Sequence, residues 1–294
     1  MQNESLKGII AMAVACLVWG FSALYYKALA HIPPLEILAH RTLWSFVIFA
    51  GLLAVQGRLA ALKGAVNTPR AAFIIGLAAL MISVNWFSFI FSIQVGRATE
   101  AALGYYIFPL VAVLLGRIVF GERLGVVQWL AVALATGAVS LLTYGLGVAP
   151  WISLIVAFTF GLYGVVKKQL DIGPVVSVTA EVGMLVPVAL VVLAVVHMRG
   201  QGHFGSAAWE SGMLVFAGLL TALPLMLFSY ATKRLQLSTV GLLQYINPSA
   251  QFFCAVVVFG EPFSGWHQLA FAMIWAGLLL YSLAALLQDR AARR

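Results

Sequence analysis

Apolar runs of about 20 residues follow one another through nearly the whole chain with only short polar connections between them, and this succession constrains the fold more than any other feature. A helix rises ~1.5 Å per residue, so each run is long enough to cross a hydrocarbon core of ~30 Å. Breakers bound the runs. Pro33 and Pro34 follow the first, Gly57 and Pro69 flank the longest early loop, Gly145 and Pro150 bracket the midpoint, and Gly173 and Pro174 follow the sixth. The spans predicted from this pattern are 8–30, 35–56, 71–93, 98–118, 125–143, 150–169, 175–197, 210–231, 238–259 and 265–287. A lipid-exposed backbone must satisfy its own hydrogen bonds, which favours helices over these lengths. The expected fold class is an all-α membrane protein of ten transmembrane helices. The first run, from about Gly8 to Tyr26, exceeds the h-region of a cleaved leader and is read as a retained helix.

Composition agrees: 63% of the 294 residues are hydrophobic and 9% charged, against about 25% charged in an average soluble domain. The net charge of +8 would suggest nucleic acid in a soluble protein. Here the basic residues sit in short connections, so they speak of topology and no nucleic-acid partner is expected. Lys7, Arg58, Lys63, Arg70, Arg117, Arg123, Lys167, Lys168, Lys233, Arg234, Arg290, Arg293 and Arg294 all fall on one side. Only Arg97 and Arg199 fall on the other, with Lys27 and Arg41 in or beside spans. The positive-inside rule then places both termini in the cytoplasm. Cys16 and Cys254 lie inside apolar runs and read as packed side chains without a disulfide.

The chain repeats itself. ATEAALGYYIFPLVAVLLGRIVFGERL from Ala98 matches LSTVGLLQYINPSAQFFCAVVVFGEPF from Leu237, setting Tyr106 on Tyr245, Pro109 on Pro248 and Phe120-Gly121-Glu122 on Phe259-Gly260-Glu261. More weakly, Gly20 and Lys27 fall on Gly161 and Lys168. The expected domains are therefore residues 1–145 and 146–294, each a five-helix unit. Five is odd, so the second copy is inverted relative to the first, the arrangement of secondary transporters that work by alternating access.

WGFSALYYKAL in the first span, PLEILAHRTLWS in the second and the paired FGE motif resemble the EamA family of the drug/metabolite transporter superfamily, and the first two its RarD branch. The resemblance covers essentially the whole chain. It implies a ten-helix permease of the bacterial inner membrane with a central cavity lined by both halves. RarD members are linked to chloramphenicol sensitivity, and relatives export amino acids or other metabolites.

Ionisable groups at membrane depth cost ~2.5–3.5 kcal/mol each on insertion scales and usually face a cavity or a partner. Arg41, with His40 beside it, either holds a substrate carboxylate or pairs structurally with Glu36. Lys27 ends the Tyr25-Tyr26-Lys27 cluster and either reaches substrate or snorkels. Glu36 and Glu181 are candidates for proton coupling, with an inter-helix polar contact the other reading of Glu181. Pro109 and Pro248 deprive the Tyr105 and Gln244 carbonyls of helix hydrogen bonds, so these prolines are candidate hinges. Around them Tyr106, Tyr245, Asn247 and Gln251, with Asn85 and Trp86 and the aromatic walls of Trp19 and Trp44, are candidate cavity lining. Glu122 and Glu261 follow a glycine, where capping of the next helix or gating is expected, capping above all.

The sequence carries no Gly-x-x-x-x-Gly-Lys-Ser/Thr cradle, no His-Glu-x-x-His and no Gly-x-Ser-x-Gly, and Asp171 and Asp289 lie in a connection and the tail. No enzyme activity, metal or cofactor is expected. The expected function is gradient-driven transport, in the direction of export, of small zwitterionic or anionic metabolites such as amino acids by alternating access. Protons are a candidate coupling ion, and one chain suffices as a monomer. Multidrug efflux of amphenicol-like or cationic compounds is the other reading.

Overall fold

The computed structural model describes residues 2–121, 124–235 and 237–291, and the regular elements of those residues are all helical. In order they are α1 (Gln2–Ala28), α2 (Pro34–Val55), α3 (Ala60–Ala65), α4 (Pro69–Gln94), α5 (Ala98–Phe120), α6 (Val126–Leu146), α7 (Trp151–Lys167), α8 (Pro174–Met198), α9 (Ala208–Thr232), α10 (Leu237–Gln244), α11 (Ile246–Phe253) and α12 (Gly265–Ala291). Glu122 and Arg123 lie outside the described residues, as do Arg293 and Arg294.

Among the described residues, nine segments are long and apolar enough to cross a membrane, and Trp151–Lys167 is a shorter apolar helix of 17 residues. At 1.5 Å per residue α7 reaches ~26 Å. Prolines sit where the breakers predict starts: Pro34, Pro69 and Pro174 each occupy the first turn of their helix, where an N–H is not needed.

Three boundaries differ from the sequence reading. α1 starts at Gln2, six residues before the apolar run, because Glu4 pairs with Lys7 at 2.8 Å and Arg234 at 2.9 Å and holds a polar first turn on the helix. The connection between the second and third spans contains α3, which packs on α8. The ninth predicted span is interrupted. α10 ends at Gln244, α11 begins at Ile246, and Cys254–Val258 forms a π-helical turn. Pro248 has no N–H to return to Gln244, so the helix cannot continue evenly through Tyr245. Its repeat counterpart Pro109 lies inside an unbroken α5.

The helices pack in a regular plan: α1 against α9 and α11, α4 against α7, α5 against α7 and α11, α2 against α8 and α9, and α6 against α12. Small residues allow the closest crossings. A Cβ on Gly104 would sit 2.7 Å from the Ser153 carbonyl oxygen, and one on Gly218 2.6 Å from the Trp44 backbone. Both cysteines are free and buried, as the sequence implies.

Candidate functional site

Two turns into α2 the Arg41 side chain turns inward and is 5% exposed. Its Nε donates to Thr221 Oγ1 on α9 at 2.9 Å and its Nη1 to the Tyr26 hydroxyl on α1 at 2.7 Å. The Trp86 ring on α4 lies under the guanidinium, 4.0 Å from Cζ to the centroid, in cation–π contact. Among the described residues Arg41 has no carboxylate at ion-pair distance, and its Nη2 has no hydrogen-bond partner.

The polar cluster extends from there. Tyr105 of α5 donates to Asn85 Oδ1 at 2.7 Å, and Asn85 Nδ2 donates to the Val156 carbonyl at 3.0 Å and to Thr159 Oγ1 at 3.2 Å on α7. The Phe89 ring sits edge-on between Tyr26 and Tyr105, 5.8 Å from each. Helices α1, α2, α4, α5, α7 and α9 thus converge on one buried cation surrounded by hydroxyls, an amide and aromatic faces. A planar donor fork, partly desolvated and with no carboxylate at ion-pair distance among the described residues, has the chemistry to pair with the two oxygens of an anion.

The buried carboxylates are engaged elsewhere. The expected structural pair between Glu36 and Arg41 does not form. Glu36, 1% exposed, accepts from the His203 backbone N–H at 2.7 Å and meets His203 Nδ1 at 3.0 Å, because the α8–α9 connection folds back over the start of α2. Glu181 pairs with Lys167 at 2.6 Å and accepts from Ser177 and Tyr163. Lys167 also bonds Ser177. Glu261 does not cap the helix that follows it. Its carboxylate accepts from the Ala98 and Thr99 backbone N–H groups and from Thr99 Oγ1, each at 2.7 Å, and so caps α5.

The remaining candidates do not share the Arg41 cluster. The Tyr25 hydroxyl donates to the Met213 carbonyl, and Lys27 is exposed with its ammonium 5.4 Å from the Phe259 ring centroid. Trp19 packs on Phe228. His40 stacks on Phe204 with neither ring nitrogen partnered among the described residues, and Trp44 Nε1 is likewise unpartnered. Tyr106 and Tyr245 face the flank formed with α12. Asn247 accepts from Gln251, and Gln244 ends α10.

Two ligands of Arg41 escape the sequence reading. Tyr26 enters that reading only within the Tyr25-Tyr26-Lys27 cluster, and Thr221 does not enter it. Helical spacing offers one clue, since Tyr26 is one turn from Ser22 and one residue from Tyr25, both also buried.

Apolar helices of membrane-spanning length around a buried polar cluster define a polytopic membrane protein of carrier type. The EamA-like transporter family matches residues 6–144 and again residues 148–283, and the chain belongs to that family. It is 38% identical to an uncharacterised transporter of Vibrio cholerae over all of this chain and 97% of that one. With the transporter YojE of Bacillus subtilis it shares 39% identity over 99% of this chain and 98% of the relative. With the protein RarD of Escherichia coli it shares 34% over 98% of each. A solved crystal structure, 20% identical, has the same fold with a TM-score of 0.61 over 97% of this chain and 98% of its own. The chain is a multi-pass inner-membrane transporter of the drug/metabolite type.

Proposed function

We propose that the protein is a gradient-driven carrier that exports small anionic or zwitterionic metabolites, amino acids among them, with Arg41 holding the substrate carboxylate. The observation that carries this reading is a guanidinium at membrane depth whose partners are hydroxyls and an aromatic face, with Nη2 and the counter-charge open. Leaving such a charge uncompensated is expensive, and a substrate carboxylate compensates it. Asn85, Trp86 and Tyr105 extend the site toward the substrate's remaining polar and apolar parts.

Alternating access follows from two inverted halves, 1–145 and 146–294. Exchanging α1 with α7, α2 with α8, α4 with α9, α5 with α10–α11 and α6 with α12 carries the α1–α9 packing onto α4–α7 and the α1–α11 packing onto α5–α7, and returns α2–α8 and α6–α12 to themselves. It also maps the close approach of Gly20 to Ala250 onto that of Gly161 to Val111, positions that correspond in the sequence repeat. With the termini cytoplasmic, the ties Glu36–His203, His31–Glu210 and Glu261–α5 all lie on the external face and hold it shut. Protons are the coupling ion in this reading, through Glu36 and Glu181. Cationic drugs are disfavoured because both of these carboxylates are already engaged. The name of a Pseudomonas aeruginosa relative, chloramphenicol-sensitive protein RarD, 28% identical, keeps amphenicols in the test.

The test is thermal stabilisation of the purified protein by a panel of amino acids, organic anions, lipophilic cations and amphenicols, since a ligand that binds only the folded state raises its stability. A shift with carboxylates that vanishes in Arg41→Ala supports the reading. A shift with cations or amphenicols alone moves it to drug efflux.

A further inference from the structure

A cavity of about 300 Å³ opens on the flank of the bundle, between α5, the interrupted α10–α11 pair and α12, lined by Tyr106, Tyr245, Ser249, Trp275, Leu279 and Ser282 among others. It shares no residue with the Arg41 cluster. Tyr105 and Tyr106 are neighbours on α5, yet Tyr105 faces Asn85 and Phe160 while Tyr106 faces Ser249 and Phe271. Its mouth is open at the bundle surface, where Ser249 is exposed and Leu279 is 61% exposed. Both residues lie within membrane-spanning segments, so the cavity faces lipid.

The hydrogen-bond direction inside it is determined. Ser249 has one hydroxyl proton and gives it to the Tyr245 carbonyl at 2.7 Å, so Tyr106 is the donor in its 2.7 Å bond with Ser249. Tyr245 in turn bonds Ser282. The protons of Tyr106 and Ser249 are committed and the Tyr106 oxygen accepts from the Trp275 indole N–H, while the Ser249 oxygen keeps one acceptor position. No charged side chain lines the cavity. Lipid acyl chains fill apolar volume there and donate no hydrogen bond.

We propose that this groove binds an uncharged amphiphile from the bilayer, its O–H or N–H head donating to the Ser249 oxygen and its apolar body lying along Trp275 and Leu279. The charge-free lining with an open hydroxyl acceptor selects a neutral donor over an anion or a cation. This goes beyond the Arg41 reading and does not depend on it.

The probes are decanamide, which has a donor head, and methyl decanoate, which has the same acyl chain and none. Each is titrated against the detergent-purified full chain while the apparent melting temperature is followed. Decanamide is expected to give a saturable rise of about 2–4 °C, and methyl decanoate less than a third of it. Leu279→Trp fills the mouth from an exposed position and should abolish the rise, while Arg41→Ala should keep it. Ser249→Ala, which removes one acceptor without adding bulk, should weaken decanamide at least threefold. Equal stabilisation by both probes, no stabilisation by decanamide, or a rise that survives Leu279→Trp overturns the proposal and leaves the groove filled by lipid chains alone.

Discussion

At the scale of single residues, the structure separates ion-paired charges from the buried Arg41, which has no carboxylate at ion-pair distance among the described residues. Buried Glu181 and half-buried Lys167 form a pair, and removing the lysine strands the carboxylate. Lys167→Met is therefore expected to lower the melting temperature by several degrees, and adding Glu181→Gln should restore much of the loss, a coupling that a double-mutant cycle measures directly. Arg41 behaves differently. Arg41→Met removes a charge with no carboxylate partner, so it is expected to leave stability within about 1 kcal/mol or raise it while binding is lost. Arg41, Asn85, Trp86 and Tyr105 were legible in the sequence because polar residues are rare at that depth. The partner of Glu36 was not, because it comes from a connection more than 160 residues away whose fold-back leaves no periodic signal.

At the scale of elements, local chemistry set most of the helix boundaries and tertiary contacts set the rest. The prolines at the starts of α2, α4 and α8 were readable as first-turn residues. The interruption at Tyr245 was only half readable: Pro109 and Pro248 look alike in the repeat, yet only the second lies beside a break. Glu261 illustrates the same limit. Its FGE motif reads as a cap for the following helix, but the N–H groups it satisfies belong to α5 in the other half. Glu261→Ala should then cost ~0.5–2 kcal/mol, the range for losing a helix cap, seen as faster amide exchange at Ala98 and Thr99 and not at the start of α12. Where backbones touch, tolerance is lower. Gly104→Val places atoms against the Ser153 carbonyl, within contact already at 2.7 Å for a Cβ, and is expected to reduce folded yield sharply in a fluorescence size-exclusion assay.

At the scale of the whole molecule, hydropathy carried the spans, because the bilayer imposes length and polarity on each of them, while the orientation read from basic-residue asymmetry is a proposal. What they could not carry is which helices meet, since lipid-facing and protein-facing surfaces are both apolar here. The proposed topology is open to direct test. Native Cys16 and Cys254 are buried, so single cysteines can be introduced without background. Lys63→Cys should react with an impermeant maleimide only after the cytoplasmic face is exposed, and Ala207→Cys from the outside of intact cells; the reverse pattern would invert the orientation.

The most direct test of a carboxylate carrier anchored on Arg41 is counterflow in proteoliposomes, using the carboxylate that best stabilises the wild-type protein. Accumulation of labelled substrate should be lost in Arg41→Ala and partly retained in Arg41→Lys, which keeps the charge without the bidentate fork. Undiminished counterflow by folded Arg41→Ala would contradict the account.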